Sequence, residues 1–311
     1  MFGLILSSCW IRESFSMQYP EYQSDLDFCR AVHKNYGKSF YFGTALMSPE
    51  FSDAICVLYA FFRLPDEYID TTYKDDKELA LQSLNQWKEN WRKCYNSESV
   101  SAEGDELKVL RASRYVFHKY QIPFKYSDAF LKAMIQDTHK NDYQTYRELE
   151  DYMYGSASVV GLMLVYIVAE KDKIQPALEY AQALGEAFQM TNFLRDISED
   201  MVQRNRVYLP LEDMENFGVT KQDLIEKNIS PNFVEMMKFE IKRTRDLYEK
   251  ADLGLQFLPK KEARGIRVAR VLYSKILDKI EDTEYDVFSK RLSLSFAQKF
   301  KLAVLTLIKN K

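Results

Sequence analysis

The run Ala187-Phe188-Gln189-Met190-Thr191-Asn192-Phe193-Leu194-Arg195-Asp196-Ile197-Ser198-Glu199-Asp200 sets Asn192, Asp196 and Asp200 at spacings of four. On an α-helix that spacing stacks three oxygen-bearing side chains along one face. The residues leading into it, from Leu184 to Met190, are largely apolar, so the face reads as inward-turned. Asp66-Glu67-Tyr68-Ile69-Asp70, 130 residues before Asp196, repeats the spacing behind the apolar run Ala54-Ile55-Cys56-Val57-Leu58-Tyr59-Ala60-Phe61-Phe62. One such pair is weak, because charged residues make up 29% of the chain and solvated helix faces produce it often. Two pairs in apolar flanks, one with an added Asn, indicate carboxylates packed into a core. Such carboxylates repel one another and lose hydration unless a cation lies between them. All-oxygen ligands suit Mg²⁺, with Mn²⁺ as a substitute.

Composition sets the frame for that site. The 311 residues are 46% hydrophobic with ten Gly and eight Pro, and no Gly/Ser/Pro-rich linker divides them, so one domain over 1–311 is expected. Residues 1–20 read as a loosely ordered extension, with Met17 a second candidate start. A net charge of −3 does not suggest a nucleic-acid footprint, and no nucleic-acid partner is expected. Cys9, Cys29, Cys56 and Cys94 contain no C-x-x-C, which fits a reduced, cytoplasmic compartment. His33, His118 and His139 are scattered and read as surface or satisfied core residues. The apolar start Met1 to Leu6 is too short for a signal-peptide core, and no run approaches the length of a membrane span. The tail from Phe296 to Lys309 mixes Lys with an apolar stripe; it reads as a last helix docked on the core, with peripheral bilayer contact as the second reading.

Helical periodicity prevails, and no stretch alternates as a half-buried strand does, so the fold reads as all-α with around ten helices. Breaks are expected at Ser48-Pro49, Asn96 to Gly104, Ile122-Pro123, Gln175-Pro176, Leu209-Pro210, Ser230-Pro231 and Leu258-Pro259. The segments from Asn232 to Phe257 and from Lys260 to Asp282 have the charged and apolar sides of outer bundle helices. Pro65, directly before Asp66, cannot donate to Phe61 and predicts a kink or local opening.

Basic and hydroxyl groups accompany the acids. Tyr59 and Arg63 stand seven and three residues before Asp66, Arg195 directly precedes Asp196, and Lys38 and Ser39 lie upstream. Carboxylate-bound cations beside such donors make a site for a polyanion, best a diphosphate. No G-x-x-x-x-G-K-[ST] or G-x-G-x-x-G occurs, so nucleotide folds have no support. A departing diphosphate leaves a carbocation, which needs a dry cavity with π-faces; Phe40, Phe42 and Phe188 are near the motifs.

The chain resembles the phytoene/squalene synthase family, the head-to-head prenyltransferases, over about Tyr36 to Lys299. The resemblance is carried by Lys38-Ser39-Phe40-Tyr41, Leu58 to Arg63, Asp66 to Asp70, Tyr152-Met153-Tyr154 leading into Val160-Gly161, and above all Ala187 to Asp200. Asn205-Arg206-Val207-Tyr208-Leu209-Pro210 resembles the phytoene branch in particular. It implies an all-α isoprenoid synthase fold around a central cavity. By the same resemblance Asp66, Asp70, Asn192, Asp196 and Asp200, with Glu67 beside them, hold Mg²⁺. Lys38, Ser39, Phe40, Tyr59, Arg63, Gln189, Arg195 and Tyr273 would contact substrate, Tyr59 and Arg63 joining the carboxylates in catalysis. A further arginine of the family falls at Lys290 or Arg291. The implied reaction condenses two geranylgeranyl diphosphates to phytoene; squalene or dehydrosqualene synthesis from farnesyl diphosphate is the near alternative, with NADPH needed only for squalene. A non-catalytic assembly protein on this fold is the reading from another class. The chain departs from the family at Gly37, where Ser is usual, at Glu67, often Asp, at Pro65, and at Ser158, usually Gly.

Overall fold

The computed structural model describes residues 22–309. The expected N-terminal extension lies outside these residues, as do the side chains of Lys38, Ser39 and Phe42. All regular structure among the described residues is helical. In chain order the α-helices are α1 (Tyr22–Tyr36), α2 (Lys38–Thr44), α3 (Pro49–Glu67), α4 (Lys77–Tyr95), α5 (Gly104–Lys119), α6 (Phe124–Gln136), α7 (Tyr146–Met153) and α8 (Val159–Val168). They continue as α9 (Ile174–Arg195), α10 (Ile197–Arg204), α11 (Leu211–Asn216), α12 (Lys221–Ile225), α13 (Pro231–Asp252), α14 (Lys260–Asp282) and α15 (Phe296–Lys309). The count exceeds the expected ten because three short helices, α10 to α12, follow one another where a single break at Leu209-Pro210 was expected, and α2 is split from α1 at Gly37.

Local chemistry accounts for several helix starts. Pro49 and Pro231 occupy first-turn positions where the missing N–H costs nothing. The side chains of Asp76, Thr145 and Ser230 accept from Leu79, Glu148 and Phe233 backbone N–H groups, and Thr220 with Asp223 forms a capping box. Ser48 is held from elsewhere: its hydroxyl donates to Glu262 of α14 at 2.6 Å, tying the start of α3 to the start of α14. Pro176 ends no helix, since it lies in the first turn of α9, where proline is tolerated.

Both acid motifs depart from ideal α-helix. α3 runs through Pro65 and then widens into a π-turn over Tyr68–Thr72, so Asp66 is α-helical and Asp70 is not. The opening expected from Pro65 therefore falls after it. In the second motif the helix breaks at Asp196, yet Asp196 N–H still donates to Asn192 carbonyl and Asp200 N–H to Asp196 carbonyl, keeping the three side chains in register.

A second π-turn, Tyr154–Ser158, joins α7 to α8 in one helical run, Tyr146–Val168, long and apolar enough by composition to cross a membrane. No such run was expected, because the polar residues of α7 mask it in the sequence. Of its most apolar window 56% is buried inside the protein, packed against α9 and α6 as a core helix would be. The approach is close: a Cβ at Gly161 would lie 2.4 Å from Ala181 carbonyl oxygen. Ser158, where the family has Gly, is buried and donates to Glu186 at 3.1 Å, giving that buried carboxyl a partner beside Gln182.

The larger apolar cluster is aromatic. Trp91 meets Phe61 and Phe117 edge-on, each at 4.9 Å, and its indole N–H donates to Ser127 at 2.8 Å. In the second cluster Arg243 faces two buried carboxyls, Asp213 at 2.8 Å and Glu240 at 3.0 Å. One guanidinium cannot neutralise both, and burial, with repulsion from Asp213, pushes Glu240 up to about 8 despite Arg243. Unfolded, a Glu titrates near 4.3, so between that value and about 8 the folded chain holds a proton that the unfolded chain has released. Stability then falls as pH rises through this window. Glu240→Gln should remove about 1–3 kcal/mol of the difference in unfolding free energy between pH 6 and pH 9; urea melts of both proteins at the two pH values check this.

Candidate active site

Both acid motifs border one cavity of about 1210 Å³. Asp66 and Asp70 enter from α3 and its π-turn, and Asn192, Asp196 and Asp200 from α9 and α10. Tyr59, Arg63, Phe40, Gln189, Arg195, Tyr273 and Arg291 line it too. The two rows meet through a residue absent from the sequence expectations: Arg204 donates to Asp70 at 2.9 Å and to Asp200 at 2.9 Å. Its signal in the sequence was its position four residues after Asp200.

Other guanidiniums serve the remaining carboxylates. Arg63 donates to Asp66 at 2.6 Å and also engages Glu67. Glu67, expected beside the metal positions, pairs with Arg63 and is not among the residues that border the cavity. Arg195 and Arg291 both grip Asp196, Arg291 through two bonds at 2.9 and 3.0 Å. Between Lys290 and Arg291 the geometry is unequal, since Arg291 lines the cavity and Lys290 is exposed and off its wall. Tyr273 hydroxyl donates to Asn192 at 2.8 Å.

Among the described residues no three His, Cys, Asp or Glu side chains converge as ligands of one ion; the expected cluster is instead interleaved with arginine. The carboxyls nonetheless remain short of positive charge. Asp66 is pushed up to about 7, by burial first and Asp70 second, against Arg63. Its side chain is 36% exposed, and it lies on the cavity wall. Burial likewise pushes Asp200 up to about 7, with Asp196 adding to it and Arg204 opposing. At Asp196 burial is outweighed by Arg195 and Arg291, which hold the carboxyl below its usual range. Hard oxygen donors on one cavity wall, whose charged forms burial disfavours at Asp66 and Asp200, fit a divalent ion bound with an anion.

A further acid, missed in the sequence, borders the same wall. Asp137 at the end of α6 accepts from Tyr152 hydroxyl at 2.7 Å and Tyr208 hydroxyl at 3.3 Å, and Arg206 donates to its carbonyl at 2.6 Å. Burial pushes Asp137 up to about 6. Tyr152 and Tyr208 sit in motifs quoted above, but their common partner lies too far along the chain for any local pattern to pair them.

Beyond the polar end the wall is apolar. Phe40 stacks on Tyr273 at 4.9 Å and meets Phe188 edge-on at 5.3 Å, and Val160, Leu164, Val168, Leu184, Leu255 and Leu258 continue the lining. The Gly37 departure has a physical role here. His33, buried beneath it, stacks on Tyr59 at 4.4 Å, and a Cβ at position 37 would lie 2.5 Å from the His33 ring and 2.8 Å from that of Tyr59. His33 is not the satisfied core residue expected: its Nδ1 faces Cys56 Sγ at 3.3 Å, but its buried Nε2 has no partner. Cys29, Cys56 and Cys94 are unpaired and buried.

An all-helical protein whose two acid rows close on one cavity, polar at one end and apolar at the other, has the architecture of an isoprenoid synthase. A squalene/phytoene synthase profile matches residues 33–298. The chain is 33% identical over 293 residues to a phytoene synthase of Arthrospira platensis, covering 90% of this chain and 92% of that one. It is 33% identical over 276 residues to a 15-cis-phytoene synthase of Synechocystis sp., covering 85% and 79%. Among solved structures, a dehydrosqualene synthase in complex with ligand superposes with a TM-score of 0.83 at 27% identity, covering 94% of this chain and 98% of that one. The chain belongs to the squalene/phytoene synthase family, and with it to the prenyltransferases.

Proposed function

We propose that the protein condenses two geranylgeranyl diphosphates head to head into phytoene, using divalent cations held by Asp66, Asp70, Asn192, Asp196 and Asp200. The observation that carries the reading is the Arg204 clamp, 2.9 Å from an acid of each row across one cavity. Bound Mg²⁺ or Mn²⁺ would neutralise the charge that builds on a departing diphosphate. Arg63, Arg195 and Arg291 bind the remaining diphosphate oxygens. Tyr59, pushed up to about 12 by burial, stays protonated and donates. The C–O bond of one substrate breaks with its electron pair leaving on diphosphate, and the allylic cation alkylates the double bond of the other; proton loss closes a cyclopropyl diphosphate. A second ionisation, rearrangement and proton loss give the hydrocarbon. Phe40, Phe188 and Tyr273 offer π-faces to the cations, and the apolar wall excludes the water that would quench them.

Farnesyl diphosphate is the second reading, favoured by the likeness to a dehydrosqualene synthase structure; NADPH would enter only if squalene were the product. An assembly protein without activity finds no support in carboxylates retained in both rows. Substrate and product are long apolar chains, so the reading includes a cytoplasmic enzyme in peripheral contact with a membrane. Incubation with geranylgeranyl diphosphate and Mg²⁺ is expected to yield a C40 hydrocarbon by mass analysis. No C40 product, with C30 product from farnesyl diphosphate, would overturn the chain-length assignment.

A further inference from the structure

We propose that the outer face of α15 is the surface by which the protein docks on a membrane, and that its partner is an anionic bilayer. This deepens the membrane reading above and rests on it. The inner side of α15 is covered: Ala303 and Thr306 are buried, and Leu302 and Leu307 pack with Val268 and Leu272 of α14. The outer side is not. Phe300, Val304 and Ile308, spaced by four, are 56%, 38% and 61% exposed, and Leu305 beside them is 43% exposed. Apolar residues in helical register on an outer face form a continuous stripe, unlike the single exposed apolar residues of ordinary surfaces.

Charge selects the occupant. From Val287 to Lys311 the sequence holds six Lys and Arg and no Asp or Glu, in a chain of net charge −3. Lys301 is exposed between the stripe residues, where its stem can lie along lipid while its ammonium reaches phosphate headgroups. An apolar stripe with basic flanks and no acid matches a helix lying in the interface of an anionic membrane. With 14 residues, α15 is too short to span one. The same segment borders the cavity through Leu294 and Lys299, so docking sets the cavity rim against lipid, where a long prenyl chain enters and leaves.

The full chain, purified in detergent-free buffer, is tested by flotation with vesicles of phosphatidylcholine alone or mixed with phosphatidylglycerol. Binding is expected only to the mixed vesicles and is expected to weaken with salt. The double variant Phe300→Ser/Ile308→Ser, and separately Lys301→Glu, should each bind about tenfold less or weaker still, with unchanged helical circular dichroism and unchanged condensation of substrate dispersed in detergent. Absence of vesicle binding by the unaltered chain overturns the proposal, as does equal binding to both vesicle types or undiminished binding by the variants. Dimers of the unaltered chain that the double variant dissociates, without vesicle binding, would assign the stripe to a second copy instead. Condensation in detergent is read separately, so its failure strikes the proposed function and not the docking surface.

Discussion

Replacing Asp66 or Asp196 by Asn should lower the condensation rate by about a thousandfold or more while leaving the helical fold in place. Each carboxylate is a proposed ligand of the cations that stabilise the leaving diphosphate, and stabilisation of developing charge in an enclosed site amounts to several kcal/mol, at 1.36 kcal/mol per tenfold of rate. The two variants separate chemistry from folding because the carboxyls are held differently. Asp66 is pushed up to about 7, so near neutrality an uncharged Asn replaces a group that is partly protonated already, and melting should barely change. Asp196 is held ionised by Arg195 and Arg291, so Asp196→Asn should also lower stability, by about 1–3 kcal/mol. Turnover by steady-state product formation and unfolding by thermal melts check both. Turnover retained in both variants would contradict the metal role.

Arg204→Met should have the next largest effect. Arg204 is the cation shared by Asp70 and Asp200, and in its absence two carboxyls from opposite rows face each other with less positive charge. Loss of one charged donor from such a site is expected to cost about a hundredfold in kcat/KM. The same loss should make divalent cations stabilise the protein more, since they then supply charge that the guanidinium had supplied. Thermal melts with and without Mg²⁺ check this: a larger Mg²⁺-induced rise in Tm for Arg204→Met than for the unaltered protein is predicted, and an equal rise would remove Arg204 from the cation balance.

The features legible in the sequence were those carried by local spacing. Helical periodicity along the chain indicated the all-helical body, Asn192, Asp196 and Asp200 in apolar surroundings indicated an inward acid face, and the spacing survived the helix break at Asp196 because the backbone bonds to residues four back persist. The widening after Pro65 was misplaced, since a proline removes a bond at a known position but does not dictate where the helix relaxes. Tyr146–Val168 was hidden because its two halves differ in polarity and only the structure joins them through a π-turn. Glu67 looked equivalent to Asp66 by proximity, yet a neighbour in sequence on a helix points elsewhere, and Arg63 four residues back claims it. Arg204, Asp137 and the His33 stack beneath Gly37 act through partners on other helices. No pattern along the chain records which distant side chain a group will meet.

Crystallising the protein with Mg²⁺ and a thiolo analogue of geranylgeranyl diphosphate, whose sulfur resists ionisation, tests the central claim most directly. The account predicts density for cations between the Asp66 and Asp70 row and the Asn192, Asp196 and Asp200 row, with diphosphate bridging them and the prenyl chain along the apolar wall past Phe188. Diphosphate bound away from both rows, or a prenyl chain lying outside the cavity, would contradict it.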